Sequence, residues 1–310
     1  MGNNMMNKYD VRMPLYEIRL SVDGRCNYNC IYCGPFADGK KALGYGTMTL
    51  PQVERVSPLI RKHGLHVQIT GGEPSIRNDL DAIVLTLSKK GVEDIGLSTN
   101  GSRLDIQYMA RMIENGLGEV HFHLPTLDQE VYDRTIRHPK KVDEIVDLSL
   151  FAKQKIKVEY NTPVTPVNID SLGRLLDFCL DNSINIKLIE EVSLSKDRIK
   201  EKEIEIVLEG WLNDRDISFR KTLRPRKYGH LYETDQNVRF RIAPVTPNLI
   251  NNIQGIPQEI LLDGRFWIGG QNGKFVFTPS YFISPESGSF DELEQSIENT
   301  LKLYDQGLRS

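Results

Sequence analysis

Three of the four cysteines in this chain of 310 residues, Cys26, Cys30 and Cys33, stand in one short run, Cys-Asn-Tyr-Asn-Cys-Ile-Tyr-Cys, while Cys179 is remote. A chain this poor in cysteine is not a disulfide framework, and clustered thiols in a reducing compartment point to metal or redox chemistry. Soft thiolates suit iron–sulfur sites. The spacing C-x3-C-x2-C offers three corners of a [4Fe–4S] cubane and leaves a fourth iron open to an outside ligand. Structural zinc is the competing expectation; it wants four protein ligands, and Cys179, His63 or His66 would have to complete the set. Cys179, flanked by Leu175, Leu176 and Phe178, reads as an inert core thiol.

The elements that must position the loop are legible as alternation. Tyr16–Asp23 reads as a first strand, and Thr49-Leu50-Pro51 opens a helix running to about Lys62. Strands are expected at 66–70, 94–98, 119–124, 155–162 and 184–191, with helices at 79–90, 105–115, 143–154 and 171–182. Six strands separated by helices predict right-handed βαβ units and a parallel sheet, whose functional groups gather at the carboxyl ends of the strands. The cysteine loop, Gly71–Pro74, Thr99–Gly101 and Pro125–Leu127 all fall there. After about residue 193 the pattern breaks. A charged helix at 200–209, short strands at 239–243, 259–262, 266–268 and 274–278, and a closing amphipathic helix at 289–304 are expected.

The cysteine spacing directly after a strand, with Tyr32 before the last cysteine, resembles the signature loop of the radical S-adenosylmethionine (SAM) enzymes. Gly71-Gly72-Glu73-Pro74 is similar to the GGEP-like motif of that family. The resemblance implies an α/β fold, a partial (β/α)6 TIM-like barrel over residues 1–195 with a C-terminal α+β cap over 196–310 that shapes the substrate pocket. It implies one [4Fe–4S] cluster on Cys26, Cys30 and Cys33, with SAM on the open iron. SAM contacts are expected from Gly71, Gly72, Glu73 and Pro74, from Thr99 and Asn100, and from His123; Tyr32 and Leu188 are expected near adenine. The glycines are required because a side chain would block the approach of SAM.

Within the family, the stretches around 71–80, 98–104, 124–132 and 159–168 resemble the GTP 3′,8-cyclase branch. The chain departs from it in two places: no cysteine follows Cys179, so no second cluster is expected, and Glu159 stands where the branch tends to carry lysine. Both weaken the case for a triphosphate substrate. The substrate expected instead is a small polar molecule, a nucleoside, sugar or aminocyclitol of specialised metabolism, from which a 5′-deoxyadenosyl radical abstracts hydrogen. Candidate catalytic residues are Tyr160, Glu159 and Glu190. An electron donor such as flavodoxin or ferredoxin is the expected protein partner.

Plain alternatives stand beside these readings. His121, two residues before His123 on one strand face, reads as a hydrogen-bonded histidine. The basic segment with Arg220, Lys221, Arg224, Arg226, Lys227 and His230 is either a solvated loop or an anion clamp. With 39 Lys+Arg against 42 Asp+Glu, the net charge of −3 disfavours nucleic-acid binding. No apolar run is long enough to span a membrane, and the first residues show no apolar signal region, so a cytoplasmic location is expected. Two further functions remain open: modification of a peptide or tRNA, and a non-catalytic iron–sulfur or zinc protein.

Overall fold

A computed structural model describes residues 17–33, 46–191, 197–223, 230–243, 265–271, 274–278 and 286–309. Six β/α steps come first: β1 (Glu17–Asp23), α1 (Leu50–Lys62), β2 (His66–Gly71), α2 (Leu80–Lys89), β3 (Ile95–Thr99), α3 (Ile106–Glu114), β4 (Glu119–His123), α4 (Gln129–Ile136), α5 (Val142–Lys153), β5 (Lys157–Val164), α6 (Leu172–Asp181) and β6 (Asn185–Glu190). The chain continues through α7 (Glu201–Asn213), β7 (Phe219–Leu223), β8 (His230–Thr234), β9 (Arg239–Ala243), β10 (Arg265–Gln271), β11 (Lys274–Thr278), β12 (Glu286–Gly288) and α8 (Phe290–Arg309).

Local chemistry sets the helix starts. Thr49 and Gln52 form a capping box ahead of α1, Asp105 accepts from the Tyr108 amide at 2.7 Å, and Asp128 accepts from the Glu130 and Val131 amides at 3.0 Å. The sequence reading missed α4, a short helix whose cap, Asp128, was its available signal.

The strands form one open sheet in the order β12-β11-β10-β1-β2-β3-β4-β5-β6-β9-β8-β7. Pairing is parallel from β10 through β1 to β6 and on to β9, and antiparallel in the two outer hairpins. The expected partial barrel is therefore present, and it is wider than six strands. The segments after residue 196 add strands to both edges of the same sheet: β9 beside β6, and β10 beside β1. The expected strand at 259–262 and the residues 224–229 of the basic segment lie outside the described residues.

Period-two alternation divides the sheet into two faces. Rows of paired residues such as Phe122, Tyr160, Ile186 and Phe240 turn toward the helices and are buried. Each such side chain contributes roughly 1.5–3 kcal/mol of burial free energy. The inner face carries the polar partners: Arg19, Ser21, Gln68, Thr70, Ser98, His121, His123, Glu159, Asn161, Lys187 and Arg241. That polar inner face is the floor of the site.

Candidate active site at the mouth of the sheet

Cys26, Cys30 and Cys33 lie on the loop after β1, thiols rather than disulfides and half-buried. The loop is seated on α4: the Asn29 amide donates to the Ile136 carbonyl at 3.2 Å and the Ile31 amide to Thr135 at 2.9 Å. Tyr28, buried between the first two cysteines, meets the Tyr132 hydroxyl at 3.2 Å. Burial pushes the Cys30 thiol up to about 12, so it needs a cationic partner to persist as thiolate.

The mouth is tied together by short polar side chains. Asn27, next to the first cysteine, donates to Ser102 Oγ at 2.7 Å and accepts from Asn100 Nδ2 at 3.1 Å, which joins the cysteine loop to the end of β3. Glu73 is buried and accepts three hydrogen bonds: from Thr99 Oγ1 at 2.5 Å, the Asn100 amide at 2.6 Å and the Ser75 amide at 2.8 Å. Burial raises its pKa and these donors oppose the shift. Gly71 has φ +138°, and a Cβ there would lie 2.3 Å from the Asp23 carbonyl oxygen; at Gly72 it would lie 2.1 Å from that of Arg25. The nearest reason for both glycines is thus the cysteine loop itself, whose root crosses them backbone to backbone. Pro74 opens the 3-10 turn that Glu73 caps.

Tyr32 and His123 meet hydroxyl to Nε2, with ring centroids 5.2 Å apart. Burial lowers the His123 pKa to about 4, so its imidazole is neutral near pH 7. Arg77 was missed as a fastener: it donates to the Val22 and Met48 carbonyls at 2.8 Å and pairs with Asp79 through two bonds. No sequence spacing announces the two carbonyl contacts.

Three expected residues do not reach the inner face. Tyr160 points to the helices, where its hydroxyl meets Ser149 Oγ at 2.5 Å; it is a packing residue. Leu188 pairs with Thr162 and Ile242, and its side chain belongs to the same apolar layer rather than to a ligand surface. Glu190 pairs with Val164 on that side and has Arg198 at 3.6 Å. Glu159 does face inward. Burial would raise its pKa, but Arg241 Nη2, 2.6 and 2.8 Å from its two oxygens, brings it down to about 2.

The donor set favours iron–sulfur over zinc. Among the described residues, the trio of His, Cys, Asp or Glu ligand atoms gathered within 4.8 Å is Glu201, Glu205 and His230; the three cysteine sulfurs stand further apart. A tetrahedral zinc with bonds of about 2.3 Å holds its sulfurs ~3.8 Å from each other. Three soft thiols on one loop, with no fourth protein ligand gathered beside them among the described residues, suit an iron–sulfur cluster better than a closed zinc site. At the other trio, Lys221 already sits 2.9 Å from Glu205, so those side chains form an ion-pair network.

The model of the Radical SAM superfamily matches residues 20–179, just over half of the chain. The GTP 3′,8-cyclase of Staphylococcus carnosus is 31% identical over 196 residues, 59% of this chain and 56% of that protein. The chain thus spans about half the length of the curated relatives it matches. Among solved structures, Streptococcus suis SuiB bound to its precursor peptide SuiA aligns with a TM-score of 0.63 at 14% identity over 86% of this chain and 59% of that one. Native anSMEcpe with bound AdoMet aligns at 0.52 and 18% identity, covering 64% and 62%. These likenesses extend the shared fold to most of the chain. A three-cysteine loop whose root crosses the glycine turn of β2, and a family match across just over half of the chain, lead to one statement: the chain belongs to the radical SAM superfamily of enzymes, whose cofactors are a [4Fe–4S] cluster and S-adenosylmethionine.

Proposed function

We propose that the chain is a radical SAM enzyme acting on a small, polar, hydrogen-bonding substrate held on the inner face of the sheet. When bound, the cluster and SAM together supply reductive cleavage of the sulfonium to a hydrogen-abstracting 5′-deoxyadenosyl radical. Cys26, Cys30 and Cys33 would hold the iron. Gly71, Gly72, Glu73, Pro74, Thr99 and Asn100 would shape the methionine end of SAM, with neutral His123 and Tyr32 beside it.

The observation that carries the substrate class is the state of the inner face. Its charges are balanced: the carboxylates Glu17, Glu119 and Glu159 share the face with the cations Arg19, Lys187 and Arg241, Glu159 pairing with Arg241, Glu17 with Arg19 at 2.5 Å, and Glu119 lying 3.0 Å from the His121 ring. A balanced floor offers no field for a polyphosphate. Yet Ser21 Oγ and Asn161 Oδ1 are buried without a hydrogen-bond partner among the described residues. Orphaned buried polar atoms are costly, and a hydroxylated or amino-bearing ligand would satisfy them. A nucleoside, sugar or aminocyclitol has that chemistry. A peptide substrate is the second reading, favoured by the open sheet, whose edges β12 and β7 have no further strand partner among the described residues.

Anaerobic reconstitution tests the reading. About four irons per chain are expected, and dithionite with SAM should release 5′-deoxyadenosine, faster when the right class of substrate is present. A fully loaded protein that never releases it would overturn the proposal.

A further inference from the structure

The cysteine loop has a back as well as a front. Its amides hang from the last carbonyls of α4, Thr135 and Ile136, so the segment just beyond that helix is the protein surface behind the thiols. Arg137 follows in the left-handed conformation, φ +53°, and the chain then lays the His138 ring on Tyr28 with centroids 4.6 Å apart. Residues 134–141, Arg-Thr-Ile-Arg-His-Pro-Lys-Lys, carry four cations and no acid. Arg103, from the β3–α3 loop, joins them: it and Lys140 both bear on His138, whose pKa falls through burial and then through these two charges. Lys140 is paired with Glu144. Arg103, Arg134, Arg137 and Lys141 are exposed, and among the described residues none of them has an ion-pair partner.

We propose that Arg103, Arg134, Arg137 and Lys141 form the docking surface for an acidic one-electron carrier protein that reduces the cluster through the back of the cysteine loop. The inference rests on the radical SAM reading, since an iron–sulfur centre that cleaves SAM must be resupplied with an electron. One electron leaves the carrier and enters the cluster; no bond forms and no proton is required. Charge complementarity argues for the occupant. The chain is acidic overall, so a local excess of unneutralised cations steers a negatively charged partner to this face and away from the rest of the surface. Tunnelling falls off exponentially with distance, and Tyr28, between two thiols, stacks against His138, which Arg137 precedes in the chain. Redox encounters use small, salt-sensitive interfaces, typically below about 1,200 Å², which a patch of four side chains can anchor.

The test uses the full chain and a purified flavodoxin in its oxidised form, with binding measured by calorimetry at low ionic strength. The combined Arg103→Glu, Arg137→Glu and Lys141→Glu variant should weaken the complex by ~10-fold or more and flatten its salt dependence. Lys155→Glu, on the loop that leads into β5 at the other end of the sheet, should leave affinity unchanged. Should the triple variant fail to fold by circular dichroism, Arg134→Gln with Arg137→Gln takes its place, with ~3-fold weakening expected. Equal affinity of parent and folded variant, or equal weakening by Lys155→Glu, overturns the docking surface. Deoxyadenosine formation driven by dithionite should be the same in parent and variant. Its absence from both would sink the radical SAM reading, while the binding measurement would still judge the surface.

Discussion

The two halves of the site are held together in different ways. Over β1 to β3, mostly short polar side chains and backbone close on one another: Asn27 to Asn100 and Ser102, Glu73 to Thr99, Asn100 and Ser75, and the glycines against residues 23–26, with Arg19–Glu17 and Arg77–Asp79 as charged pairs beside them. Over β4 to β6 and β9, Glu159 pairs with Arg241 across strands and Glu119 with His121 along β4, and at Asn161 a buried oxygen is left open among the described residues. The first half would be preorganised for the family's cofactors, with most of its polar groups spent on geometry and the hydroxyls of Ser21 and Ser75 the exceptions among the described residues. The second keeps polar capacity in reserve, which is where a substrate would be distinguished.

If that contrast holds, removing the hub of the first half should cost most. Glu73→Ala strands three buried donors, each worth ~1–3 kcal/mol when unmade. A loss of about 3 kcal/mol or more in denaturant unfolding is expected, together with loss of SAM-dependent deoxyadenosine formation. Unchanged stability would show that the hydrogen bonds at the mouth do not act as a unit.

In the second half the pair matters more than either member. Arg241→Met leaves Glu159 buried without its hydrogen-bonded partner and with only Lys187 and His121 bearing on it, at a cost of up to about 3–5 kcal/mol, whereas Glu159→Gln with Arg241→Met should be near neutral. Cluster loading and dithionite-driven SAM cleavage should survive in the double variant, with substrate turnover altered; loss of the cluster there would erase the division between the halves. The pH dependence has a definite sign. The folded Glu159 carboxyl sits at about 2 against an ordinary 4.5. Its contribution is therefore complete above pH 4.5 and disappears as pH falls toward 2, and Arg241→Met should remove that part of the acid transition.

The smallest effect is expected outside both halves. Tyr160→Phe breaks the bond to Ser149 and should cost about 1 kcal/mol. Turnover should not change, because the hydroxyl lies on the helix side of the sheet. A fall in turnover without a fall in stability would return Tyr160 to the site.

Much of this was legible in the residues. Alternation located all six β/α strands, and the cysteine spacing with Gly71-Gly72-Glu73-Pro74 named the chemistry, because local periods and short motifs depend only on near neighbours. What escaped was long-range. Tyr160 and Glu159 are adjacent in sequence and face opposite layers, so which one sees the substrate depends on which side the helices cover. Arg241 lies 82 positions from Glu159, and nothing in either segment announces the other.

By itself, the sequence determined the cofactor chemistry, since three closely spaced thiols in one loop form a local motif. Only the tertiary structure decided what surrounds them: that the C-terminal strands extend both edges of the sheet, that Glu159 is neutralised, and that cations gather behind the cysteine loop. The physical reason is that strand pairing brings distant segments into register, and charge acts through space rather than along the chain.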